Sequence, residues 1–189
     1  MASGKICTIL VGSLREDSVN RAAAEYAARY LCDQFTIHQP ELAQIPLFNQ
    51  DLEDVGDPEP VRALKAVVSQ SSIVLFFSPE YNYSTSGVLK NAIDWLSRPF
   101  GSGSLVGRVV GIASASPGSR GGENAREHLL QTCGVLTERL YKVTLGIPNV
   151  TKLKAGSLSE QDSQLLPHRL NDVIDFSRQP QTRLETITS

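Results

Sequence analysis

The side chains with the clearest chemical use cluster in short polar stretches. The first is Gly12-Ser13-Leu14-Arg15-Glu16-Asp17-Ser18-Val19-Asn20. Gly12 permits a sharp turn. Ser13, Ser18 and Asn20 offer hydroxyl and amide donors, and Arg15 offers a cationic fork. A helix beginning at Val19 adds free backbone N–H groups and the positive end of its dipole. Together these suit a phosphate. An ordinary helix start, capped by Asp17 or Ser18 with Arg15 solvated, accounts for the same residues equally well. The stretch is neither a P-loop, which needs Gly-Lys-Ser/Thr, nor a dinucleotide fingerprint, which needs three glycines.

The second stretch is Ser78-Pro79-Glu80-Tyr81-Asn82, directly after the apolar run Ile73 to Phe77. Pro79 fixes a backbone angle, Glu80 offers a carboxylate, Tyr81 a ring face and Asn82 an amide. Such a turn suits a flat, partly polar cofactor. A third stretch, Ser114 to Gly122, is rich in glycine and serine. Its small residues let a backbone approach a ligand closely, although a flexible connection is the simpler reading of that stretch alone. His38, His128 and His168 are scattered and pair with no nucleophile, so they read as surface or capping residues. No catalytic acid or base and no metal-ligating set is assigned.

Alternating strand and helix signals position these stretches. Lys5–Val11 reads as a first strand and Val19–Leu31 as a helix. A short strand spans Phe35–His38, and a long proline-containing loop follows. Gly56-Asp57-Pro58 leads into a helix carrying Val61, Leu64, Val67 and Val68. The third strand is Ile73–Ser78, with a helix from Gly87 to Leu96. Arg108–Ser114 is the fourth strand, and Gly121 onward a helix with Leu129, Leu130, Cys133 and Leu136 inward. Leu140–Leu145 reads as the fifth strand and Asp162–Phe176 as the last helix. Strands alternating with helices imply a parallel sheet covered on both faces. The polar stretches after strands one, three and four then converge on one sheet edge, where open α/β sheets bind ligands.

The chain has 189 residues, 41% hydrophobic and 20% charged, which fits one soluble domain. We take residues 1–177 as that domain and 178–189 as a disordered tail. The formal net charge of −2 gives no case for nucleic acid or an anionic membrane surface. No apolar run is long enough to span a bilayer, and no signal sequence is evident. Cys7, Cys32 and Cys133 read as reduced core residues of a cytoplasmic protein.

Three of these segments, in this order, resemble the NAD(P)H-dependent FMN reductases, a group that includes quinone, azo and chromate reductases. They are Gly12-Ser13-Leu14-Arg15 with Ser18 and Asn20, then Pro79-Glu80-Tyr81-Asn82, then Gly87-Val88-Leu89-Lys90-Asn91-Ala92-Ile93-Asp94-Trp95. The resemblance covers about Lys5 to Pro148. It implies a flavodoxin-like three-layer α/β sandwich with a five-stranded parallel sheet in the order 2-1-3-4-5. It implies non-covalent FMN, its phosphate held by Ser13, Arg15, Ser18, Val19 and Asn20. Pro79, Glu80, Tyr81 and Asn82 would lie along the ring, with Ser116, Gly118 and Gly121 closing the other side. NADPH or NADH would be the electron donor and quinone, azo, flavin or metal-oxyanion compounds the acceptors. A homodimer or homotetramer is implied, with Asp94 and Trp95 assigned to a subunit contact. Ser86 stands where the family usually has proline, which suggests a looser start to the helix. The part after Pro148 matches weakly and carries no assigned role.

A flavodoxin-type electron carrier is the main rival, but such carriers are usually strongly acidic. A flavin-binding redox sensor fits the same residues. A phospho-receiver does not. It needs clustered acids after strand one and an aspartate ending strand three, where this chain has Gly12-Ser13 and Ser78-Pro79.

Overall fold

The run Ser71–Phe77 has no polar face, so it must be covered on both sides. In the computed structural model, which describes residues 4–154 and 156–180, it is the central strand β3. The elements are β1 (Ile6–Val11), α1 (Val19–Leu31), β2 (Thr36–His38), α2 (Gln50–Asp54), α3 (Glu59–Gln70), β3 (Ser71–Phe77) and α4 (Gly87–Leu96). They continue with β4 (Val109–Ala115), α5 (Glu123–Gly134), β5 (Leu145–Ile147), α6 (Glu160–Ser163) and α7 (Leu165–Arg178). The strands form one sheet in the order β2-β1-β3-β4-β5, with every pairing parallel. This is the flavodoxin-like order expected from the sequence.

The two-residue period of β3 divides the interior. Ile73, Leu75 and Phe77 pack with α1 and α7, among Ala23, Ala27, Leu170 and Val173. Val74 and Phe76 face the other way, into a core with Val61, Leu64, Leu89, Ile93 and Trp95. Each fully buried large apolar side chain contributes about 1.5–3 kcal/mol. The alanines of α1 (Ala22, Ala23, Ala24 and Ala27 are all buried) bring that helix close to the sheet.

Several boundaries differ from the sequence reading, each for a local reason. β5 is Leu145–Ile147, not Leu140–Leu145. Leu140 makes only an isolated bridge to Val110, and the chain reaches β4 properly where Leu145 pairs with Ala113. Gly146 is a strand residue beside which the Arg126 guanidinium lies, 2.8 Å from where a Cβ would be. The last helix begins earlier, as α6, and breaks at Gln164. Pro167 has no N–H to give the Ser163 carbonyl, so the two helical pieces cannot run on as one. The long loop contains a 3-10 turn at Leu42–Gln44 and the short helix α2, which is capped by Asn49 and lays a half-buried Leu52 against the core. Cys32 is exposed at the end of α1 and so is not a core residue. Cys7 and Cys133 are buried, and burial pushes both thiols up to about 12. Most of the expected tail, 181–189, lies outside the described residues.

Two expectations at α4 are corrected. Ser86 does not loosen its start. The Ser86 hydroxyl caps the helix by accepting from Leu89 N at 3.3 Å, and the residue is buried. Trp95 is not available to a second subunit: it is 0% exposed. Its Nε1 donates to the Pro46 carbonyl at 2.8 Å, and Phe48 packs edge-on at 4.9 Å between ring centroids. It fastens the long loop to the core. Trp95→Ala should therefore cost about 3–5 kcal/mol of stability. Urea unfolding measures this, and a loss under about 1 kcal/mol would mean the site collapses around the gap.

Candidate functional site

Parallel strands bring the segments after β1, β3, β4 and β5 to one edge of the sheet, where they line a cavity of about 640 Å³. The β1 segment leaves the sheet at Gly12, whose N–H donates to the Phe77 carbonyl at 2.8 Å. A Cβ at Gly12 would lie 2.5 Å from Ser86 Oγ, 3.1 Å from Leu89 Cβ and 3.2 Å from Pro79 Cδ. Only glycine lets the chain pass here beside the start of α4.

Beyond Gly12 the polar residues divide their duties. Ser13 is 3% exposed and borders the cavity. Arg15 borders the cavity, is exposed, and makes no ion pair among the described residues. Ser18 is the N-cap of α1 and accepts from Arg21 N at 3.3 Å, which leaves its own O–H free to donate. Val19 and Asn20 border the cavity at the first turn of α1. The Asn20 amide points elsewhere. Its Nδ2 donates to the Ala115 carbonyl at 2.8 Å, and its Oδ1 accepts from Ala115 N at 2.8 Å. Asn20 thus positions the loop, and only its backbone is left to serve a ligand.

The β3 turn is built in the same way. Ser78 is buried, and its hydroxyl bonds the Pro79 carbonyl and Thr85 Oγ1, both at 2.9 Å. Tyr81 and Ser84 exchange backbone hydrogen bonds at 3.0 Å around Asn82 and Tyr83, whose φ angles are +50° and +60°. Pro79, Glu80 and Tyr81 border the cavity, with Tyr81 48% exposed. Asn82 and Tyr83 do not border it. The Glu80 carboxylate caps α5, accepting from Asn124 N at 2.9 Å, Ala125 N at 3.3 Å and Asn124 Nδ2 at 3.1 Å. Burial tends to raise its pKa, but these bonds and Arg120 outweigh that and hold it below the ordinary carboxylate value.

After β4, Ala115, Ser116 and Pro117 border the cavity. Gly118 and Gly121 do not. The Gly118 carbonyl accepts from Asn149 N at 3.2 Å, and Gly121 packs against the Gly146 backbone. They shape the loop and do not face the space. The sequence reading gave no role to Val150, Thr151, Lys152, Leu153 and Gly156, which form the remaining wall. The signal was present in Asn149, Thr151 and Lys152, shortly after a strand. Placing β5 five residues too early hid it. Among the described residues no cluster of His, Cys, Asp or Glu could hold a metal ion. Two cation-bearing side chains, Ser13 and Ser18, and a half-exposed aromatic ring make the cavity fit for a ligand with an anionic end and a planar portion.

Residues 5–145 match the family model described as NADPH-dependent FMN reductase. A quinone reductase of Pseudomonas putida is 37% identical over 124 residues, 66% of this chain and 67% of that protein. An NAD(P)H-dependent FMN reductase of Pseudomonas aeruginosa is 35% identical over 163 residues, 86% of this chain and 85% of that protein. Among solved structures, the flavoenzyme NAD(P)H:(acceptor) oxidoreductase of Paracoccus denitrificans superposes with a TM-score of 0.81. It is 30% identical and covers 92% of this chain and 97% of that one.

The Glu80 cap yields a pH test. A carboxylate whose folded pKa is depressed stabilises fully above its unfolded value, and that stability is lost as pH falls through the folded value. Glu80→Gln should cost about 1 kcal/mol at pH 7, and the gap from the parent should close as pH falls through 4.5 and below. Thermal unfolding across pH checks it; a gap independent of pH would show that the charge contributes nothing.

Proposed function

This chain belongs to the NADPH-dependent FMN reductase family, and from that premise we propose that it moves electrons from NADPH or NADH, by way of bound FMN, to quinone, azo, flavin or metal-oxyanion acceptors. The observation that carries this reading for the chain's own residues is one cavity bordered by Ser13, Arg15, Ser18 and the first turn of α1 on one side and by the Tyr81 turn on another. A cationic side chain, two hydroxyls and a helix N-terminus at one space suit an anionic group.

FMN, when bound, supplies the redox chemistry itself. The chain's part is to hold and orient it. Ser13, Arg15 and Ser18, with the backbone N–H groups of Val19 and Asn20, would hold the phosphate. Pro79 to Tyr81 would border the ring on one side and Ser116 on the other, with Asn82, Gly118 and Gly121 acting only through the shape of their loops. Asn20 and Glu80 keep the surrounding segments in place from behind. No side chain need act as nucleophile or general base.

We further propose a homodimer or homotetramer in the cytoplasm. The exposed Tyr83 and Phe100 support a subunit contact near the ends of α4, with Asp94 at most at its edge. Among the described residues no helix is long and apolar enough to cross a membrane.

The purified protein should be yellow and release FMN, not FAD, on denaturation. Arg15→Ala should weaken FMN binding roughly tenfold to a hundredfold without unfolding the chain, the range for a charge-assisted hydrogen bond. A protein that stays colourless after reconstitution with FMN would refute the reading. Light scattering at micromolar concentration should give at least twice the chain mass; a monomer mass would refute the oligomer.

A further inference from the structure

The wall formed by the chain after β5 is the part of the cavity that the motifs leave unexplained. Asn149 N donates to the Gly118 carbonyl at 3.2 Å, and Val150 N donates to the Ser116 carbonyl at 3.0 Å. Val150 is buried in the core shared with α1. These bonds fasten the segment to the β4 loop, one residue from Ala115, which Asn20 ties to α1. Lys152 lies two residues further on, a reach of at most about 7 Å. It borders the cavity, is exposed, and has no ion pair or hydrogen bond among the described residues.

The charges facing the cavity make that lysine informative. A phosphate monoester carries nearly two negative charges at neutral pH. Arg15 brings one cation from the β1 side. Asp17 borders the same space and repels an anion, whereas Glu80 is committed to α5. A dianion held by Arg15 alone would be under-neutralised. Ser13 and Ser18 border the same space and add hydroxyl donors to it.

We propose that Lys152 is the second cation of the phosphate site and reaches the terminal phosphate of FMN from the chain after β5. This rests on the FMN reading above. It gives the segment after β5 a binding role that the sequence motifs do not reach.

Riboflavin, which lacks the phosphate, provides the test. Titrations followed by flavin fluorescence would compare FMN and riboflavin on the unaltered protein, Lys152→Ala and Lys152→Arg. Lys152→Ala should weaken FMN about tenfold and leave riboflavin unchanged, while Lys152→Arg should keep most of the FMN affinity. Thermal unfolding should be the same for all three, because the side chain is exposed. Equal weakening of both flavins would overturn the proposal and assign Lys152 to the shape of the segment. Unchanged FMN affinity would overturn it too. So would a loss confined to NADPH relative to NADH on the FMN-loaded protein, since the lysine would then serve the phosphate of the donor. An unaltered protein that binds neither flavin would refute the cofactor reading, and the proposal with it.

Discussion

The paired hydrogen bonds between the Asn20 amide and the Ala115 backbone determine where the cavity can be. β3 lies between β1 and β4 in the sheet, and its chain turns away at Ser78. Pairing of β3 with β4 ends at Phe77 and Ala113, so Ala115, in register with Ile147 of β5 on its other side, has no strand partner on the β3 side. Leaving its backbone N–H and C=O unpaired there is costly. A side-chain amide, with one donor and one acceptor, replaces the missing peptide. The first turn of α1 is thereby drawn across the top of β3, beside the point where the strand order reverses. That is where α/β sheets of this type take ligands. The other walls are arranged around this link.

Much of this was legible in the sequence because the signals were local. The uninterrupted apolar run of β3 demanded cover on both faces, and the spacing of Val19, Ala23, Tyr26 and Tyr30 marked α1 to the residue. Trp95, Glu80 and Asn20 were read less well. Their partners, Pro46, Asn124 and Ala115, lie 49, 44 and 95 residues away. A large aromatic, a carboxylate and an amide each suit a surface role and an interior one. Only the fold decides between them. The β5 segment failed for another reason: a strand made of Leu145, Gly146 and Ile147 has glycine at its centre because another residue's guanidinium occupies that space.

A pattern runs through the polar residues of the site. Those that looked best equipped to touch a ligand are partly spent on holding loops, and the side chains left free are fewer. Ser78 and Ser86 close the β3 turn and start α4, and Asn20 ties α1 to β4. Ser13, Arg15, Tyr81 and Lys152 remain facing the cavity. Rigid support around a few free groups is what precise positioning of a bound molecule requires.

The Glu80 carboxylate belongs at once to a cavity wall and to the first turn of α5. Thermodynamic reciprocity follows. Whatever ligand favours the ordered form of the Tyr81 turn must also favour the capped form of α5, and by the same free energy. The helix meets the turn a second time, where His128 Nδ1 lies 2.9 Å from Ser84 Oγ, so its stability is coupled to occupancy through both contacts. Protection of the α5 amides against hydrogen exchange is therefore a gauge of how firmly the cavity is filled, readable without any signal from the ligand itself.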